Sequence, residues 1–167
     1  MNTTKTKFLT KTAVIAALYA LCTIFFAPIS YGAVQFRISE SLCVLSFFYP
    51  EAVFGLTIGC FIANLFGNGP LDLIFGTLAT LIASALSFFV AKKVKNSVAK
   101  FIICSLFPIV INALLVPLTF LAVTELKSLY IISGLQVLFG QAVVILTLGA
   151  FLYAVISKRE SNLNKPL

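Results

Sequence analysis

The chain has no histidine and only five acidic residues, and just 10% of its 167 residues are charged against 60% hydrophobic. A soluble domain is ordinarily about 25% charged. The missing histidine removes the side chain that most often serves as a general base or a metal ligand near neutral pH. Cys22, Cys43, Cys60 and Cys104 lie singly within apolar runs, with no C-x-x-C spacing, which argues against a metal site or a redox pair and leaves them as small packing residues. No G-x-x-x-x-G-K-[ST] loop is present to cradle nucleotide phosphates, and the "GNGP" at 67–70 is not followed by a lysine. With the acids confined mainly to helix ends, an intramembrane hydrolase or proton relay has little material. The expected chemistry is therefore binding, with no catalytic residue, no metal and no cofactor held by this chain.

What the chain does have is apolar length. Its mean hydropathy is +1.10, and a membrane span needs about 20 predominantly apolar residues. These features predict an all-α integral membrane protein, a single domain over 1–167 with six transmembrane helices at about 9–27, 37–49, 51–66, 71–91, 99–123 and 128–157. The first stretch, "TAVIAALYALCTIFFAPI", resembles a signal peptide in charge and hydrophobicity, but it is long for one and more apolar sequence follows, so it reads as the first helix, ended by Pro28. The second, "RISESLCVLSFFYP", is short, and spans only if Arg37 and Glu40 sit near one face with Pro50 and Glu51 at the other. Pro108 and Pro117 interrupt the fifth, which a membrane helix tolerates where neighbouring groups satisfy the freed carbonyls.

Six spans place Lys5, Lys7, Lys11, Lys92, Lys93, Lys95, Lys100, Lys158, Arg159 and Lys165 on one side, with only Arg37 and Lys127 on the other. The positive-inside rule makes the first side cytoplasmic, together with both termini, in the cell membrane. The net charge of +7 is thereby read as topology in a lipid bilayer rather than as affinity for nucleic acid.

Helical rise then gives depth. Asn64 falls about 20 Å from the inner face and about 10 Å below the outer one, and Gln136 reaches a similar depth from outside. Arg37, Glu40 and Asp72 start their helices at the outer face, Glu125 and Lys127 lie in an outer loop, and Asn112 sits near mid-membrane as a candidate floor. Together with Asn68, these polar groups converge on one mouth, which suggests a ligand pocket open to the outside. Asn64 has the strongest case, since an intramembrane polar side chain tends to mark a site, with a helix–helix hydrogen bond as its alternative. Asp72 fits a first-turn acid offsetting the helix dipole as well as it fits a ligand contact. Arg37 and Glu40, at i and i+3, are expected to pair with each other, leaving one Glu40 oxygen toward the pocket. Gln136 and Gln141 are about 140° apart around their helix, so only one faces the pocket squarely, and Gln136 is nearer the mouth.

Small residues form three stripes. Ala13/Ala17 and Ala16/Ala20 make overlapping small-x-x-x-small pairs on the first helix, while Gly55, Gly59 and Ala63, and then Asp72, Gly76, Thr80 and Ser84, make similar rows on the third and fourth. Such rows allow close helix approach, and internal packing is the expectation for the last two.

The segment 36–84, "FRISESLCVLSFFYPEAVFGLTIGCFIANLFGNGPLDLIFGTLATLIAS", with its R-I-S-E, A-N and D-x-x-x-G-T elements, resembles the QueT family of queuosine-precursor S components of energy-coupling factor (ECF) transporters. The resemblance implies a six-helix S-component fold that captures a deazaguanine substrate, queuine or an earlier precursor, near the outer face. It implies partners as well: a transmembrane coupling subunit, docked through Ala13, Ala16, Ala17 and Ala20, and two cytoplasmic ATPases that use the ATP. In such a site Glu40 or Asp72 would accept the paired N–H groups of the guanine-like edge, Asn64 or Gln136 would donate to its carbonyl, and Tyr31, Phe36 or Tyr130 would stack on the ring. An S component for another vitamin or nucleobase, a stand-alone secondary carrier, and a structural subunit without a ligand are the alternatives.

Overall fold

A computed structural model describes residues 3–32, 34–67, 69–119 and 127–163, all of their regular structure helical. Asn68, Glu125, Lys165 and the expected end of the fifth helix beyond 119 lie outside the described residues. The elements are α1 (Thr3–Phe25), the short α2 (Ala27–Ser30), a 3-10 helix (Ile38–Phe47), α3 (Pro50–Asn64), α4 (Pro70–Ala91), α5 (Ser97–Leu115), α6 (Lys127–Val144), a π-helical segment (Ile145–Gly149) and α7 (Ala150–Leu163). The last three follow one another without a break, as one apolar span over Ser128–Asn162.

Local chemistry sets several boundaries. Pro50 and Pro70 occupy the first turns of α3 and α4, where the missing N–H is not needed and φ is already helical. Asn96 caps α5 by accepting the Ala99 N–H at 3.0 Å. Pro108 lies inside α5, as expected of a membrane helix, but the regular helix ends at Leu115, just before Pro117.

Among the described residues, four helices, Thr3–Phe25, Pro70–Ala91, Ser97–Leu115 and Ser128–Asn162, are long and apolar enough to cross a membrane, while the 3-10 helix and α3 are shorter. This supports the all-α membrane class, but not exactly the six spans expected. At a rise of about 2.0 Å per residue the ten-residue 3-10 helix is about 20 Å long, and the fifteen residues of α3 are about 22 Å. Large apolar side chains such as Leu18, Phe25, Phe54, Phe61, Phe89 and Phe151 are exposed around the whole bundle. That pattern would be an aggregation hazard in water and is what a lipid-facing surface requires.

One end of the bundle gathers the positive charge. Lys11 pairs with Glu51 at 3.2 Å, the Tyr49 hydroxyl donates to Glu160 at 2.6 Å, and the Tyr153 hydroxyl donates to the Ser97 carbonyl at 2.8 Å. These contacts bring the start of α1, the start of α3, the start of α5 and the end of α7 together. The opposite end holds α2, the approach to the 3-10 helix and the α3–α4 turn.

The first helix packs closely on the third, so part of the alanine row expected to dock a partner is used inside the bundle. A Cβ on Gly59 would stand 2.7 Å from the Ala16 carbonyl oxygen and 2.7 Å from the Tyr19 Cβ, so glycine sets the distance between the two helices. Ala16 and Ala20 are buried in this seam, whereas Ala13 and Ala17 lie on the exposed side of α1. The Asp72, Gly76, Thr80, Ser84 row of α4 is buried as well.

Candidate functional site

The interior of the basic-poor half is polar. Arg37, Glu40, Asn64, Asp72 and Asn112 are each at most 4% exposed, although they come from the segment before the 3-10 helix, the 3-10 helix itself, α3, α4 and α5. Five of the six residues expected to bind a ligand are thus brought together. Gln136 is the exception, half-buried on α6 and joined to the cluster by no hydrogen bond among the described residues. Gln141 is the buried one of the pair, with an Oε1 that has no partner. It stands one turn before the π-helical segment, and π-bulges are frequent at functional positions. Beside it, Gly140 packs on the backbone of Gln35, which sets Gln141 near the level of the cluster.

The 3-10 winding explains the arrangement around Glu40. With three residues per turn, side chains at i and i+3 eclipse, so Glu40, Cys43 and Ser46 form one line. The Cys43 thiol donates to Glu40 Oε2 at 3.0 Å, the Tyr19 hydroxyl of α1 donates to Oε1, and the Asn112 amide of α5 reaches Oε2 at 3.5 Å. Glu40 therefore lies inside the bundle, fully buried and within reach of Asn112.

Arg37 and Glu40 do not pair. Arg37 precedes the first 3-10 residue with an extended backbone, φ −78° and ψ 95°, which carries its side chain toward α4. Its Nη2 meets Asp72 Oδ2 at 3.4 Å, its guanidinium lies 5.8 Å from the centroid of the Tyr31 ring, and its Nε has no partner. Asp72 stands in the first turn of α4 as expected, but as the counter-ion of Arg37. The Asn64 amide donates to the Asp72 carbonyl and to the Cys60 sulfur, both at 3.4 Å, and its Oδ1 is unpaired. Gly76 makes room for this amide, since a Cβ there would stand 2.7 Å from Asn64 Nδ2.

Among the expected stacking residues, Tyr31 closes the end of the cluster and donates to the Ala63 carbonyl at 2.6 Å. Phe36 meets Phe139 edge-on, with centroids 6.1 Å apart. Tyr130 donates to the Leu114 carbonyl at 3.1 Å. The cysteines are unpaired, and no group of metal ligands occurs among the described residues. Sequence reasoning passed over Tyr19 and Cys43, and it ranked Gln141 below Gln136. A signal for Tyr19 existed, because Thr12, Tyr19 and Thr23 share the inward face of α1 with Ala16 and Ala20.

A buried carboxylate ringed by neutral donors thus stands next to an ion pair with unsatisfied amide and guanidinium atoms. The family profile described as QueT transporter matches residues 9–158. The chain belongs to the QueT transporter family. That match takes in every residue of the cluster. The queuosine precursor transporter QueT of Lactococcus lactis subsp. cremoris is 36% identical over 98 residues, which are 58% of this chain and 58% of that protein. The chain thus aligns with rather more than half the length of this curated relative. Both descriptions are of transporters and not of enzymes. No solved structure matches the chain.

Proposed function

We propose that this chain captures a queuosine precursor, a deazaguanine base, as the membrane-embedded S component of an ECF-type importer. The observation that carries the reading is the Glu40 site: a fully buried carboxylate whose described partners Tyr19, Cys43 and Asn112 are all neutral donors. The guanine-like edge presents two adjacent N–H groups that a carboxylate accepts as a pair, in charge-assisted bonds of fixed geometry. Asp72 is committed to Arg37, which leaves Glu40 as the reader of that edge. Asn64 and Gln141, with their unpaired amide oxygens, complete the polar contacts, and Tyr31 covers the ring.

The basic end faces the cytoplasm by the positive-inside rule, so both termini are cytoplasmic and the cluster lies in the outer half of the cell membrane. Ala13 and Ala17, exposed on α1, are the docking surface for a transmembrane coupling subunit, whose two associated ATPases supply the energy from ATP. Ala16 and Ala20 serve the α1–α3 seam instead.

Purification of the tagged chain from its native membrane tests both parts. Mass spectrometry of the released small molecules is expected to find a deazaguanine base, and the eluate is expected to contain a coupling subunit with ATPases. Recovery of another vitamin or nucleobase would overturn the substrate. Uptake by the chain alone in proteoliposomes, without ATP, would make it a secondary carrier.

A further inference from the structure

The outward side of α7 changes character over about two turns. Phe151 and Val155 are 73% and 52% exposed, as a lipid-facing surface requires, while Lys158, Arg159 and Asn162 follow them and are exposed too. Counted from Val155 the spacing is i+3, i+4 and i+7, which keeps these four on one face of the helix. An open groove of about 370 Å³ runs along that face, bordered by Val155, Lys158, Arg159 and Asn162. Its volume falls within the range of small-molecule pockets, about 300–1,000 Å³.

The positive charge of the groove is not neutralised by the protein. Neither Lys158 nor Arg159 forms an ion pair among the described residues, where the salt bridges are Lys11–Glu51 and Arg37–Asp72. Glu160, next in sequence, turns the other way: it is half-buried and accepts the Tyr49 hydroxyl at 2.6 Å. Glu51, also at this end, is held by Lys11 at 3.2 Å. An arginine fork takes two oxygens of a phosphate at once, and a lysine beside it adds a point charge. Asn162, one turn on, supplies a neutral donor.

Snorkelling brings long basic side chains to a membrane interface, but it does not by itself make a groove in which a basic wall continues an apolar one. An anionic phospholipid presents both partners, a phosphate at the interface and acyl chains beside it. From Lys158 to Asn162 the helix rises about 6 Å, matching the polar layer of one leaflet, about 5–7 Å deep. We propose that this face of α7 binds an anionic phospholipid, with Lys158 and Arg159 on the phosphate, Asn162 on the polar group beyond it, and Phe151 and Val155 along an acyl chain. The site is separate from the cluster around Glu40 and independent of what that cluster carries. The same turn is tied inward to the start of α3 through Glu160 and Tyr49, so a lipid held there braces the basic end of the bundle as well as its own helix.

The test is native mass spectrometry of the purified full-length chain, offered equal amounts of phosphatidylglycerol and phosphatidylcholine with identical acyl chains. One phosphatidylglycerol is expected to stay bound in preference to phosphatidylcholine. Lys158→Gln with Arg159→Gln is expected to weaken its retention about tenfold or more, since each cation beside an anionic headgroup contributes. Lys93→Gln with Lys95→Gln removes the same amount of charge from the exposed link between α4 and α5 and is expected to leave retention unchanged. Equal retention of the two lipids, or equal losses in the two double variants, would overturn the site and leave only the diffuse charge of the basic end. Displacement of the lipid by an equal concentration of inorganic phosphate would reassign the groove to a free anion and overturn the lipid. All four substituted residues are exposed, so the fold is expected to hold, and the two-lipid comparison on the unaltered chain needs no variant.

Discussion

The Tyr19 hydroxyl donates directly to the Glu40 carboxylate, across 21 residues of sequence and between α1 and the 3-10 helix. Both side chains are fully buried. The bond ties the α1–α3 seam to the polar cluster, since Tyr19 also packs against Gly59. The helix pair and the candidate binding residue are therefore one mechanical unit.

Tyr19→Phe removes that donor and keeps the ring. It leaves Glu40 Oε1 short of a partner, a loss of about 1–3 kcal/mol for a buried polar group. The expected result is a lower melting temperature in detergent with the helical content retained. An unchanged melting temperature would show that the hydroxyl does not support Glu40.

The alanines of α1 divide by direction. Ala16→Leu and Ala20→Leu insert bulk into the seam with α3 and are expected to destabilise by about 1–3 kcal/mol, the usual range for overpacking. Ala13→Leu and Ala17→Leu face outward and are expected to leave the melting temperature unchanged while lowering uptake in cells. Normal uptake by both outward variants would remove this face as the docking surface.

Arg37→Met strands Asp72 in the interior and is expected to destabilise by about 3–5 kcal/mol, the range for breaking a buried pair. The double variant Arg37→Met, Asp72→Leu is expected to recover much of that loss, as buried pairs replaced by apolar residues often do. A double variant no more stable than the single one would mean that the 3.4 Å contact does not define the energetics of this pair.

Gln141→Ala deletes a buried amide whose oxygen has no partner, so the expected cost to stability is that of the cavity it leaves. Precursor affinity is expected to fall about tenfold, the equivalent of one lost hydrogen bond of about 1.5 kcal/mol. Gln136→Ala should change neither. Titration of both purified variants checks this, and the reverse ranking would restore Gln136 to the site.

At the basic end, the Tyr49 phenol is pushed up to about 12, by burial first and then by its hydrogen bond and proximity to Glu160. An unfolded tyrosine ionises near 10. The folded pKa is the higher, so the contribution of this contact is fully present below about pH 10 and is lost as pH rises toward 12. Tyr49→Phe should flatten that alkaline decline in melting temperature, and an identical pH profile would show that Glu160 does not hold the phenol.

Much of the architecture was legible because proline and apolar length act locally. Pro50 and Pro70 marked the starts of α3 and α4 within one residue, and the glycine row of α3 was read as internal packing, although the alanine row that meets it was assigned to a partner subunit. The 3-10 helix was not legible, because nothing in "ISESLCVLSF" excludes an α-helix and the tighter winding depends on its buried surroundings. The Arg37–Glu40 pairing failed for the same reason: an i, i+3 rule presupposes that both residues are helical, and Arg37 is extended. Depth by helical rise ordered Gln136 and Gln141 along α6, but it carried no information on which of them turns inward.

The 3-10 helix also has a gearing consequence. Rewound as an α-helix, Ile38–Phe47 would contract from about 20 Å to about 15 Å, and successive side chains would turn by about 100° where they now turn by about 120°. Glu40 and Cys43 would leave their common line, and the Tyr19 and Asn112 donors would no longer converge on one carboxylate. Length and recognition are therefore coupled in this segment: a pull along the bundle axis is, at Glu40, a rotation.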